Sequence, residues 1–365
     1  MNLRLSYISN SEYGDIKKFL KKLLALSLLI FVLDKGLAFW AAQAVLHEIG
    51  EFGSLAVLYR GDVNSQIVLF GTSKTNVNID AGAIEQQTGM ACYNLAIANA
   101  TVETHELLFE EFLIRNKKPD IVFMEADFTQ FRNEAIRRNV HGPVFRSDLL
   151  APFSTVSPSI AKRLNPTPAD RLAFWFFRCK NFTAGDRINV LFRSMFRYAI
   201  GVFGGSDSQN QTRQSGAAVG FQDNYQRRES RGAFLLAPLE KEKLSEERIA
   251  DWRGDRGTMG ISPVMALEPQ ETYVRIVDFA KSKGIQLVLY GPPFFGKLDE
   301  DYAKKVDMFF AQLAEQNEHV HYWSFRDDHD LRADDTLWND SIHMNWNGAA
   351  VLTQKIIENL RSLRE

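Results

Sequence analysis

Ten residues constrain this chain more than any other stretch: Gln66-Ile67-Val68-Leu69-Phe70-Gly71-Thr72-Ser73-Lys74-Thr75. A short apolar run that stops at a turn signal reads as a strand buried on both faces of a parallel sheet. Gly71 permits a sharp turn at its carboxyl end, and that edge is where open α/β sheets hold their ligands. Ser73 is therefore expected at the mouth of the sheet, beside the start of the next helix. There it serves either as an ordinary cap of that helix or as a nucleophile.

The rhythm around this strand is α/β. Residues 80–88 read as a helix, 92–95 as a short apolar strand, 103–116 as a helix with Leu107, Leu108, Phe112 and Leu113 on one side, and 121–124 as a second buried strand. The rhythm returns later, with a helix over 269–283 stopped by Gly284, a strand over 285–290 closed by Gly291-Pro292-Pro293, and a helix over 302–316. A last strand over 321–325 and a final helix over 346–363 complete it. Strands alternating with helices imply right-handed parallel βαβ units. With 365 residues, 45% of them hydrophobic, the chain can bury one large core or two ordinary ones.

Between residues 132 and 263 the rhythm breaks. A basic stretch with Arg132, Arg137, Arg138 and His141 leads into proline-rich turns, then into an aromatic and arginine-rich segment over 170–203. This segment reads either as helices packed on the core or as a lid or membrane-facing surface. Residues 204–232 are polar and read as a mobile loop. Asn181-Phe182-Thr183 and Asn210-Gln211-Thr212 match the short glycosylation pattern.

The amino terminus points to a membrane. Lys17, Lys18, Lys21 and Lys22 precede an uncharged apolar run, residues 23–33, and a second apolar stretch follows over 37–46. Lysines ahead of an apolar run put the extreme amino terminus in the cytoplasm. Residues 1–22 are then a cytoplasmic basic segment, 23–46 a transmembrane anchor, and 60–365 an extracytoplasmic α/β domain with the 132–263 insertion. Two alternatives compete with the anchor: a signal peptide cleaved at Ala42-Gln43-Ala44, and a soluble amphipathic helix.

A net charge of −2 argues against a general nucleic-acid binder. Only two cysteines occur, Cys92 and Cys179, without CxxC, HExxH or a cysteine–histidine cluster, so no structural zinc is expected. Cys92 reads as a core residue, and a Cys92–Cys179 disulfide stays open in an oxidising compartment. Nothing in the sequence calls for a metal or an organic cofactor.

Near the other end, Asp340-Ser341-Ile342-His343 precedes the final helix. An acid three residues before a histidine in a loop can reach its Nδ1 proton, fix the tautomer and stabilise an imidazolium. Nε2 is then free to take the proton of Ser73, which is a weak nucleophile without such a base. The bland alternative is a surface pair capping the final helix.

Together the two ends resemble the SGNH (GDSL-like) hydrolase superfamily. Gly71-Thr72-Ser73 after a buried strand looks like its first signature block, and Asp340-x-x-His343 like its last. Tyr93-Asn94-Leu95-Ala96 resembles the approach to its second block, and the strand closing at Gly291-Pro292-Pro293 is typical of it. The resemblance covers roughly 65–130 and 265–365. It implies a three-layer α/β fold with a flavodoxin-like parallel sheet and a Ser73-His343-Asp340 triad. Joined to an anchor, such a domain is similar to exported proteins that acylate or deacylate envelope polymers, alginate and teichoic acid among them. Bacterial inner-membrane attachment, a polysaccharide substrate and a membrane-bound O-acyltransferase as partner are what that likeness implies. Two positions depart from the family. Asn99 stands where it offers a glycine amide to the oxyanion, and Asn tolerates the left-handed backbone. Asp127 stands where it offers an asparagine, and an ionised carboxylate there repels an oxyanion. Either Asn76 or Asn94 donates instead, or acyl transfer is slow, or the chain is a degenerate binding or scaffolding subunit of a modification or export complex. A membrane-associated enzyme of another α/β class is the remaining expectation.

Overall fold

A computed structural model describes residues 17–30, 32–33, 36, 51–131, 227–231, 233–237, 246–254, 265–296 and 299–364. Cys179, both glycosylation patterns, the Ala42-Gln43-Ala44 cleavage site, and the basic and aromatic segments of the insertion lie outside these residues. So do residues 31, 34, 35 and 37–46 of the expected anchor and positions 204–226 and 232 of the expected loop.

In chain order the elements are α1 (Glu51–Arg60), β1 (Ile67–Phe70), α2 (Ser73–Asn78), α3 (Ala81–Thr88), β2 (Cys92–Asn94), α4 (Val102–Arg115) and β3 (Ile121–Glu125). A hairpin follows, β4 (Arg227–Ser230) and β5 (Ala233–Leu236), then α5 (Glu246–Gly254), α6 (Leu267–Lys283) and β6 (Gln286–Gly291). The chain closes with α7 (Glu300–Glu315), β7 (Val320–Ser324), α8 (His329–Ala333) and α9 (Trp346–Ser362). Five strands form one sheet in the order β2-β1-β3-β6-β7, and every neighbouring pair is parallel. The order reverses between β1 and β3, so the crevice outside their carboxyl ends is the topological switch point.

The strands read as unbroken apolar runs because both faces are covered. Val68, Phe70, Val122, Met124, Leu287 and Leu289 join the core built with α1, α4, α6 and α7. Their neighbours Ile67, Leu69, Ile121, Phe123, Val288 and Tyr290 join the core built with α3 and α9. This two-residue alternation is that of a strand, and it makes the fold three layers: helices, sheet, helices. Burying each such side chain is worth about 1.5–3 kcal/mol, so the sheet is the rigid platform on which the loops at its edge are carried. Local signals set the helix ends: Asp80 caps α3 through the Ala83 amide at 3.0 Å, and Gly284 (φ 61) ends α6 in the left-handed region.

Helices α1, α5 and α8 and the β4–β5 hairpin were not expected. Helix α1 lies upstream of the expected domain start, yet its Leu55 and Leu58 are fully buried in the core. Residues 227–230, inside the stretch read as a mobile loop, form β4, which pairs antiparallel with a buried β5. The hairpin turn reaches the sheet at β2, where the Asn94 amide donates to the Arg231 carbonyl at 2.9 Å. At the amino end, residues 17–30 are helical and their apolar side chains are exposed, Leu24 at 71%. Among the described residues no helix is long and apolar enough to cross a membrane.

Candidate active site

The site is assembled at the carboxyl edge of β1 and β3. β1 turns directly into α2 at Gly71, where no side chain fits: an added Cβ would stand 2.0 Å from Thr75 Oγ1 and 2.6 Å from Glu125 Oε2. The space is taken by Glu125, the last residue of β3, which is fully buried. Its carboxylate accepts the Thr72 amide at 2.7 Å, the Thr72 hydroxyl at 2.7 Å, the Thr75 amide at 3.3 Å and the Thr75 hydroxyl. A carboxylate under a helix start satisfies amides that have no intrahelical acceptor and meets the positive end of the helix dipole. The two threonines so held flank Ser73.

Ser73 Oγ lies 2.8 Å from His343 Nε2, and His343 Nδ1 lies 2.7 Å from Asp340 Oδ2. A carboxylate only accepts, so Nδ1 carries the proton and Nε2 accepts from the serine hydroxyl. Asp340 Oδ1 accepts the Ile342 amide at 2.9 Å and the His343 amide at 2.8 Å, which locks the acid onto its own loop. Burial pushes the Asp340 carboxyl up, but the adjoining imidazole and these two amides outweigh it and hold it below the usual carboxylate range. Ser73 and His343 are only 8% and 6% exposed. The three expected residues are thus hydrogen-bonded in line, an arrangement that activates an alcohol toward a carbonyl.

The other expected residues have varied placements. Asn99 is exposed and takes φ 57 in a turn closed by the Ala100 amide on the Ile97 carbonyl at 3.2 Å. That turn is tied to the β1 exit, since the Ile97 amide donates to the Gly71 carbonyl at 2.8 Å. Asn76 and Asn94 direct their amide nitrogens to main chain: Asn76 Nδ2 donates to the Ala96 carbonyl at 3.0 Å and Asn94 Nδ2 to the Thr75 carbonyl at 2.9 Å. In this arrangement both hold the β2 exit against α2.

Asp127 changes most from expectation. It does not present a bare charge, because the Lys74 ammonium forms an ion pair with its Oδ2, and the Thr129 amide donates to its Oδ1 at 2.5 Å. Burial raises the Asp127 carboxyl, and the Lys74 charge and these hydrogen bonds bring it below its ordinary value. Lys74 Nζ also lies 3.8 Å from Glu125 Oε1 and 5.7 Å from the centre of the Phe128 ring. Lys74 and Glu125 were not singled out from the sequence. The available signal was a Thr-Ser-Lys-Thr turn after one strand facing Glu125-x-Asp127 after the next.

Among the described residues no group of three or more His, Cys, Asp or Glu side chains could hold a metal ion. The chain matches no protein-family model and no curated protein.

Proposed function

We propose that the chain is an SGNH-like serine acyl-transfer enzyme acting on an envelope polysaccharide or a related polymer. The observation that carries this reading is the unbroken Asp340–His343–Ser73 chain, with links of 2.7 and 2.8 Å, at the carboxyl edge of the sheet. Two more support it. The five-strand order is that of flavodoxin-like sheets, with the site at their switch point. Asn99 holds the left-handed backbone that lets it stand in for a glycine.

In this reading Ser73 Oγ attacks an ester or thioester carbonyl carbon while its proton passes to His343 Nε2. The bond to the leaving oxygen or sulfur then breaks, that atom takes the proton from Nε2, and an acyl-Ser73 ester remains. A sugar hydroxyl (transferase) or water (esterase) gives its proton to Nε2 and attacks the acyl carbon; the bond to Ser73 Oγ then breaks, and Oγ takes that proton back from Nε2. Asp340 orients the ring and stabilises its charged form. The Ser73 and Asn99 amides serve the oxyanion, and losing one such donor typically costs about 10²–10³ in turnover. The amino-terminal lysines and the exposed apolar helix after them fit a single-pass anchor in a bacterial inner membrane with the α/β domain outside the cytoplasm. Anchoring raises the effective concentration of the site beside a membrane-bound O-acyltransferase that hands over the acyl group.

One observation favours a second reading, a degenerate binding or scaffolding subunit: a carboxylate, Asp127, engaged with Lys74, occupies the position where the family supplies an amide donor. A serine-directed fluorophosphonate separates the two. The enzyme reading expects labelling of the wild type that is lost in Ser73→Ala and His343→Ala. An unlabelled wild type that retains polymer binding supports the second reading.

A further inference from the structure

Asn78 ends the short helix that begins with Ser73, and it is fully buried. Its side chain reaches across to the histidine loop and bonds on both sides of His343. The Met344 amide donates to Asn78 Oδ1 at 2.9 Å, and Asn78 Nδ2 donates to the Ile342 carbonyl at 3.3 Å. Those partners lie 266 and 264 residues away in the chain. The Asp340–His343 unit, by contrast, is braced from within its own loop: Asp340 holds the ring and two amides, and the Asn339 amide donates to the His343 carbonyl at 2.8 Å. The loop therefore keeps acid and base together without help, but its position relative to Ser73 depends on contacts from outside. The Phe295 amide on the Ser341 carbonyl at 3.1 Å and Asn339 Nδ2 on the Ala237 carbonyl at 2.9 Å also hold the loop, but it is Asn78 that ties it to the helix that carries Ser73, about a turn and a half away.

We infer that Asn78 is a positioning residue that holds the preformed Asp340–His343 pair at hydrogen-bonding distance from Ser73. This rests on the serine acyl-transfer reading. A displacement of about 1 Å at reacting groups costs on the order of 10²-fold in rate, so the effect is expected on the chemical step and not on ligand affinity.

The test uses the purified full-length chain and a fluorophosphonate, with saturation kinetics resolving the labelling rate constant from probe affinity. In parallel, proton NMR follows the low-field His343 Nδ1–H signal, assigned by its loss in Asp340→Asn. Asn78→Ala is expected to slow the labelling step about 10–100-fold, with probe affinity unchanged and the Nδ1–H signal retained. Asn78→Asp keeps the acceptor for the Met344 amide and loses the donor to Ile342, and is expected to fall between Ala and wild type. Wild-type labelling rates in both variants overturn the inference. So does concerted loss of labelling and of the Nδ1–H signal, or failure of both variants to fold, because Asn78 is then a general stabiliser of the loop. An unlabelled wild type instead defeats the acyl-transfer reading itself, and that result is visible before any Asn78 variant is made.

Discussion

Glu125 is the residue whose replacement interrogates the site most fully, because it links β3 to the turn that presents Ser73. Its carboxylate takes two amides and two hydroxyls from Thr72 and Thr75. The hydroxyls can rotate toward other acceptors, but the amides cannot. Glu125→Met, of similar length and without an acceptor, strands both amides in a fully buried place. At about 1–3 kcal/mol for each buried donor left unmade, the expected loss is about 2–6 kcal/mol. Glu125→Gln keeps one oxygen for the amides and puts its NH₂ beside the Thr72 hydroxyl, which turns to accept. That substitution exchanges charged for neutral hydrogen bonds and is expected to cost only about 1–2 kcal/mol. Urea denaturation gives the two stabilities, and fluorophosphonate labelling of Ser73 gives the functional effect. Both variants are expected to label more slowly, Met far more than Gln, because the threonines either side of Ser73 lose their anchor. If Glu125→Met is no less stable than Glu125→Gln, or labels at the wild-type rate, the anchoring argument is wrong.

Other outcomes follow from the same geometry. Gly71→Ala places a methyl 2.5 Å from Thr75 Cβ, so α2 must move; a loss of about 1–3 kcal/mol is expected from overpacking, measured by thermal melting, together with slowed Ser73 labelling. Lys74→Met leaves Asp127 buried and unpaired and is expected to cost about 3–5 kcal/mol; the double variant Lys74→Met/Asp127→Asn should recover most of that, and no recovery would discount the ion pair. His105 is buried beside the Gly71 carbonyl, and burial pulls its pKa from 6.5 to about 3, the carbonyl offsetting this only in part. The unfolded chain therefore binds the extra proton first, so the stability that His105 allows is complete above pH 6.5 and falls as pH drops toward 3. The loss approaches about 5 kcal/mol at 1.36 kcal/mol per unit. His105→Gln should flatten that acid arm relative to wild type in pH-dependent denaturation, and an unchanged slope would refute the assignment.

What could be read from sequence was whatever is local. Apolar runs such as Ile67 to Phe70 and Ile121 to Met124 announce buried strands because both faces are covered, and Gly284 marks a helix end by its left-handed backbone. The alignment of Ser73, His343 and Asp340 was legible for the same reason. Ser73 follows its strand by three residues, and Asp340 and His343 form a self-contained loop motif, so each half carries its own signature. What joins the halves was not legible. Glu125 grips Thr72 and Thr75 from about fifty residues away, 53 and 50 apart in the chain, and no periodicity marks that Glu125 and Asp127 are both buried. Nothing local to Lys74 marks it as buried; its partner there is Asp127, two residues past the end of β3. The β4–β5 hairpin is short, and its first strand, Arg227–Ser230, is too polar to stand out from the surrounding loop composition.

The central claim is that Ser73 becomes covalently acylated with His343 as its base. The direct measurement is to mix the full-length protein with an activated acetyl ester, quench with acid and locate the acetyl group by peptide mass spectrometry. The account predicts an acetyl ester on Ser73 that is absent in Ser73→Ala and strongly diminished in His343→Ala. An unmodified Ser73, or equal modification with and without His343, would contradict it.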